Sequence, residues 1–180
     1  MSPRPSITDV RNISNYTDIY RWNLIISSFP LLGSLGGVLP FPSSNEINLR
    51  CESLVIPKMQ NTKIEVNIRG HKVFQSGTAQ YTNTMLLTMV DTVDQVVMNF
   101  IKTWRELVWQ TRTGISQPKL QQEATIILHQ LNSLDQPIYQ YTLIGCFLED
   151  FDNGSLTNES NVRRPTVTLS YDYYDDGPIR

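Results

Sequence analysis

Two histidines, two cysteines and two acidic clusters are the residues of this 180-residue chain whose chemistry could make a site. His71 stands beside a turn and His129 inside an apparent strand, and neither has Cys, His or carboxylate at the spacing of metal ligands. Glu149, Asp150 and Asp152 form one acidic cluster, and Asp172, Asp175 and Asp176 a second. Such groups can hold a cation or work as an acid/base pair. They lack the fixed loop spacing of a calcium site, and solvated acidic surface is the simpler reading. Cys51 and Cys146 fall within apolar strands, where a free thiol behaves as a small hydrophobe. A disulfide between them is the lesser reading in a reducing compartment. No Gly-x-Ser-x-Gly elbow occurs among the many serines. The run Gly33-Ser34-Leu35-Gly36-Gly37 lacks both the Gly-Lys-Ser/Thr ending of a phosphate loop and the spacing of a dinucleotide fingerprint. The sequence therefore predicts no catalytic residue, no metal and no cofactor, and reads as a non-enzyme.

The composition points the same way. A formal charge of −2 is nearly balanced, which argues against a nucleic-acid binder living on a basic surface. Met1 to Gln75 carries eight Lys/Arg and five Asp/Glu, whereas Ser76 to Arg180 carries seven and twelve, so a mildly basic start precedes an acidic remainder. No apolar run approaches the roughly 20 residues of a membrane span. The opening MSPRPSITDVRN lacks the apolar stretch of a secretory signal, so a cytosolic place of synthesis and no membrane partner are expected.

The length suits one domain over residues 1–180, with a polar N-terminal arm at 1–19 and extended loops at 30–45 and 152–165. An apolar segment, IYRWNLIISSF, suggests an added strand near Trp22. From Ile47 a regular alternation sets Ile47, Leu49, Cys51, Ser53 and Val55 on one face, which predicts a strand ended by Pro57. In TKIEVNIR, Ile64, Val66 and Ile68 face one way and Lys63, Glu65, Asn67 and Arg69 the other, a strand with one wet side closed by Gly70. HKVFQSGTAQY reads as a polar stretch before a third strand, NTMLLTMV.

One strong helix follows, capped by Asp91 with Asp94 three residues on and stopped at Gly114. Its apolar stripe is Val93, Val96, Val97, Phe100, Ile101, Trp104, Leu107 and Val108. Val97, Phe100 and Trp104 are the expected contact between helix and sheet. EATIILHQL, IYQYTLIGCFL and PTVTLSYDYY supply three more strands. The order β-β-β-α-β-β-β describes a mainly antiparallel sandwich or barrel with one helix against it.

In this order the chain resembles the tail tube proteins of contractile-tailed bacteriophages and, more distantly, the hemolysin-coregulated tube protein of type VI secretion. The likeness is carried by YRWNLIISSFP, LRCESLVIPK with its cysteine and proline, TKIEVNIRGHKVFQSG, LLTMVDTVDQVVMNFIKTW with Phe100 and Trp104, and the closing VTLSYDYY. It runs from about Tyr20 to Tyr174. The stretches PLLGSLGGVLPFPSSN and NGSLTNESNVRRP are long for the family and take no family role.

The resemblance implies a structural subunit of stacked hexameric rings whose strands help line the lumen of a hollow tube. A contractile sheath would surround that tube, and DNA would pass through it without specific binding. The partners it implies are further copies of the chain, the sheath protein, baseplate and terminator proteins and a tape-measure protein in the lumen. The place it implies is a virion tail, assembled in the host cytoplasm. Lys58, Met59, Gln60 and Asn61, with His71, Lys72, Val73 and Phe74, become candidates for ring stacking. A bore free of surplus Lys and Arg lets a duplex slide, and the polar strand faces make Glu65, Asn67, Thr168 and Ser170 lumen candidates. Two other readings stay open, a tube initiator at a baseplate or a secretion tube, and a small β-barrel enzyme or ligand-binding protein.

Overall fold

The computed structural model describes residues 18–28, 42–155 and 161–179. Among these residues nine strands and three helices follow one another: β1 (Trp22–Ser28), α1 (Ser44–Arg50), β2 (Cys51–Leu54), β3 (Met59–Ile68), β4 (His71–Tyr81), β5 (Thr84–Met89), α2 (Val96–Val108), α3 (Lys119–Gln122), β6 (Ala124–Leu131), β7 (Pro137–Asp152), β8 (Thr166–Ser170) and β9 (Tyr173–Pro178). The main sheet runs β1-β6-β7-β8-β5-β2 with β9 also on β7, and every pairing in it is antiparallel. The mainly antiparallel β fold predicted from the sequence is therefore the fold observed, including the extra strand at Trp22.

β7 organises this sheet. Its first half lies between β6 and β9, and its second half pairs with β8. The corner is Gly145, whose φ of +71° suits a residue without Cβ. A Cβ there would also stand 2.4 Å from Asp172 Oδ2. β8 and β9 follow β7 in one continuous register, from Phe147↔Ser170 to Ile144↔Tyr173. Across the joint, Tyr171 N donates to Asn83 O at 2.9 Å and Asp172 N to Ile144 O at 3.0 Å, so the chain changes partners without losing backbone bonds. The last strand expected at 165–174 is thus one ladder bent at Tyr171.

Inward side chains from both halves enter one buried cluster. It contains Leu24 and Ile26 of β1, Met85, Leu87 and Met89 of β5, Ile126 and Leu128 of β6, Leu143, Cys146 and Leu148 of β7, and Val167 and Leu169 of β8. Along β5, β6 and β8 the burial alternates with the strand period. α2 adds Val97, Phe100, Ile101 and Trp104, the predicted stripe. Phe100 and Trp104 meet edge to face at 5.5 Å, and Trp104 Nε1 donates to Gln122 O at 2.9 Å, so the buried indole leaves no donor unpaired. Cys51 and Cys146 are free thiols in this core, and burial pushes each up to about 12, which keeps them protonated and unreactive.

Four sequence expectations are corrected. The strand predicted from Ile47 begins only at Cys51, because Ser44–Arg50 is helical and buries Ile47. A reciprocal capping box fixes it: Glu46 N donates to Ser43 Oγ at 3.3 Å and Ser43 N to Glu46 Oε2 at 2.8 Å. Asp91 and Asp94 do not cap α2, which starts after Gln95 in the left-handed region with no side-chain cap. Asp91 is instead held by Arg163 at 3.5 Å and Asp94 by Arg50 at 2.8 Å, and Val93 is exposed outside the helix. The helix ends at Val108, before Gly114, and α1 and α3 accompany it in place of a single helix. The stretch from His71 to Tyr81, read only as a polar stretch before the third strand, is itself strand β4. Of the predicted arm and loops, residues 1–17, 29–41 and 156–160 lie outside the described residues, including the Gly33–Gly37 run. Residues 44 and 45 of the first loop already belong to α1.

Trp104→Ala is expected to cost about 3–5 kcal/mol through the cavity it leaves, read as a lowered urea midpoint; a loss below about 1 kcal/mol would contradict the packing described. Gly145→Ala is expected to cost more than about 1 kcal/mol, because alanine at positive φ is strained even before its Cβ meets Asp172.

Candidate functional site

Among the described residues the chemistry-bearing groups do not converge. His71 sits exposed at the end of β4, whereas His129 points outward from β6 with Nε2 against Gln140 Oε1 at 3.1 Å. Gln140 in turn donates to Thr142 Oγ1 at 2.8 Å, so this histidine belongs to a polar row across two strands. Among the described residues no group of three His, Cys, Asp or Glu is placed to hold a metal ion. The carboxylates serve the fold. Asp150 and Asp152 accept the amides of Phe151 and Gly154, at 2.8 and 2.9 Å. Asp172 holds Lys119, whose pKa it raises through that hydrogen bond. Asp176 accepts the Tyr139 hydroxyl, which pushes that phenol up to about 12, with desolvation as the second cause. Such a phenol stays protonated as a donor. No helix among the described residues is long and apolar enough to cross a membrane.

What stands out is a ribbon. β3 and β4 form a two-stranded sheet of their own, and all their residues except Thr62 and Gly77 are exposed. Arg69 and Gly70 join them, both at positive φ (48° and 82°), as the tight hairpin turn whose twist matches paired strands requires. At the root, Thr82 N donates to Lys58 O at 3.3 Å, Thr82 Oγ1 meets the Tyr171 hydroxyl at 3.2 Å and Tyr81 packs edge-on against Tyr174. Ten residues at the strand rise carry the tip roughly 33 Å from that root.

The two faces of the ribbon differ. Register places Lys63 with Ser76, Glu65 with Phe74 and Asn67 with Lys72. This face satisfies itself: Lys63 Nζ lies 3.4 Å from the Phe74 ring centroid, and Lys72 pairs with Glu65 at 2.8 Å. The other face pairs Ile64 with Gln75, Val66 with Val73 and Ile68 with His71. There Ile64, Val66, Ile68 and Val73 are 48%, 38%, 57% and 53% exposed. The sequence alternation was right, yet its dry side is left bare by the described residues.

The eight stacking candidates thus divide. Lys58, Met59, Gln60 and Asn61 form the root of the ribbon, while His71, Lys72, Val73 and Phe74 stand at its tip. The lumen candidates divide too. Glu65 and Asn67 are on the ribbon, whereas Thr168 and Ser170 belong to β8 in the main sheet. Thr168 and Ser170 lie opposite Leu86 and Thr84 of β5, on an outer face shared with Thr88 and Thr166. Two features escaped the sequence reading: the bareness of the apolar ribbon face, and a groove between β1 and β2, the strands at which the sheet path ends. That groove, about 770 Å³, is lined by Tyr20, Trp22, Leu49, Leu54, Ile56 and Tyr141 among others. Tyr20, Leu49 and Ile56 are conspicuously exposed.

No protein-family model and no curated protein sequence matches the chain. Solved structures do. A chain of the anti-feeding prophage baseplate is similar at TM-score 0.63 and 13% identity, covering 91% of this chain and 97% of that one. A chain of the anti-feeding prophage tube-terminating cap is similar at TM-score 0.66 and 11% identity, covering 93% and 94%. A chain of the sheath–tube complex of an extracellular contractile injection system, in its extended state, is similar at TM-score 0.61 and 12% identity, covering 98% and 100%. The chain has the tail-tube type of fold that these assemblies contain.

Because the bare ribbon face lies outside the core, Val66→Asp in the dispersed chain is expected to leave stability within about 0.5 kcal/mol. A large drop in the urea midpoint would show that the ribbon packs on its own body.

Proposed function

We propose that this chain is a non-enzymatic structural subunit of a contractile-tail tube, six copies closing into a ring and rings stacking into a hollow pipe. The observation that carries the proposal is the projecting ribbon with one bare apolar face, in a fold similar to chains of tube-bearing contractile assemblies. An isolated two-stranded hairpin is marginal in water. Another copy would supply what the ribbon lacks. The edge of β2, which among the described residues pairs with β5 alone, is the second support, since open edges recruit strands unless covered; the β1 edge is already covered by α1, whose Asn48 and Ser44 accept the Leu24 and Ile26 amides at 2.7 and 2.8 Å. A head-to-tail contact repeated about an axis closes a ring, and the ribbon serves as the arm to the next ring.

In this reading the tube lies inside a contractile sheath, contacts baseplate and terminator proteins at its ends, holds a tape-measure protein and passes double-stranded DNA. It would be assembled in a host cytoplasm and reside in the tail of a virion. The outer β5–β8 face, with Thr84, Thr88, Thr166, Thr168 and Ser170, is the bore surface we favour, since hydroxyls neither trap phosphates nor strip their counterions. Glu65 and Asn67 then belong to the docking arm. A second reading, a component of the tube's end, is favoured by the likeness to chains of a baseplate and a terminating cap.

Electron microscopy of the purified protein separates these readings. The tube subunit is expected to grow into filaments of stacked sixfold rings and an end component to stop at one or two rings, while a chain that remains monomeric at high concentration contradicts both. Thr168→Lys is expected to leave tube assembly intact and to slow DNA delivery by assembled particles several-fold; unchanged delivery would remove Thr168 from the bore.

A further inference from the structure

The groove between β1 and β2 matches the bare ribbon face in character and in position. Its lining is mostly apolar, with Trp22, Leu54 and Tyr141 half-buried and Tyr20, Leu49 and Ile56 exposed. Ile56 is three residues before Met59, so each chain's groove lies beside the root of its own ribbon. The tip of a straight ribbon is roughly 33 Å from that root, beyond reach of its own groove but free to enter another. A single chain thus carries a projection and a receptacle at opposite ends of one arm. This is the arrangement of a heterologous, self-propagating contact.

Charge favours the same match. The ribbon has three cations, Lys63, Arg69 and Lys72, against one anion, Glu65. Among the groove's lining residues, Asp18 and Glu52 outnumber Arg21; Asp18 pairs with Arg21 at 3.0 Å and Glu52 with Arg164 at 2.7 Å. Arg69, at the tip, would meet a rim with a surplus of carboxylate. We propose that the occupant of this groove is the ribbon tip of a second copy, with Ile68 and Val66 seated against Leu49 and Ile56. The assignment rests on the tube reading and adds to it the receiving surface.

The test uses the full chain with Ile68→Cys and Leu49→Cys together; both positions are exposed, and the native Cys51 and Cys146 are buried. Mild oxidation of assembled material is expected to give a ladder of covalent multimers on a non-reducing gel, which neither single variant gives, because a disulfide demands Cα atoms within about 7 Å. Labelling of Leu49→Cys alone by a maleimide is expected to be fast in dispersed protein and at least tenfold slower after assembly. Rings or tubes that form without the ladder, or an equal labelling rate in both states, would overturn the groove assignment and leave the tube reading standing. Slow labelling in the dispersed chain would overturn it as well, since another stretch of the same chain would then cover the groove. Failure of the unsubstituted protein to assemble at all sinks the tube reading and the assignment with it.

Discussion

β7 can serve both halves of the main sheet only because the backbone at Gly145 adopts a positive φ with Asp172 pressed against it. Before the corner the strand lies between β6 and β9; beyond it, β8 takes over as partner. The long ladder formed with β8 and β9 keeps its register through the bend, so the turn costs no backbone pairing. Two half-sheets joined in this way face one another over a shared core, and α2 adds Trp104 and Phe100 to it. The joint also fixes what remains outside. With β7 central, β1 and β2 are left at the ends of the path, and the ribbon has no place in the main sheet.

The same geometry bears on what a bore could be. Inward residues of β5 and β8 are fully committed to the core, which leaves their outer face to side chains chosen for another purpose. That face is dominated by threonine and serine, with Phe147, Asp150 and Asp152 of β7 opposite Ser170, Thr168 and Thr166, and Leu86 and Phe147 as its apolar members. β-branched threonine suits a strand, and its hydroxyl exchanges partners with water at little cost. Lysine or arginine in a repeated ring would instead concentrate positive charge around a passing duplex and hold it. The composition of the face therefore agrees with transit better than with binding.

Legibility in the sequence followed from how local each determinant is. The stripe Val97, Phe100, Trp104 was readable because large apolar groups at a 3.6-residue period have few alternative explanations. β6 and β8 were readable because one side of each is buried by this chain itself. α1 was missed although Ser43 and Glu46 spell a capping box, since Ile47, Leu49 and Cys51 also satisfy a two-residue period over so short a window. β4 was missed for a different reason. Val73 and Phe74 are adjacent and point to opposite faces, so its pattern has no apolar side, and only pairing with β3 makes it a strand. No sequence pattern could show that the face of Ile64, Val66 and Ile68 is bare, because alternation says which residues share a side and not what covers them.

A bare ribbon must be kept from pairing indiscriminately. Its other face carries Lys63 over Phe74 and Lys72 beside Glu65, charges that discourage indiscriminate strand pairing along exposed edges. Its turn, Arg69-Gly70, ends the apolar face in a cation. Such a ribbon is ordered only weakly by its own bonds, so docking must supply the remaining free energy for order as well as for contact. In the proposed assembly, the first contact between two copies would bear that ordering cost with few partners in place. Each copy added to an existing ring or stack meets surfaces already held in shape and bears less of it. Assembly driven in this way is slow to nucleate and quick to extend, which suits a polymer started at one defined place rather than one that forms wherever the chain is made.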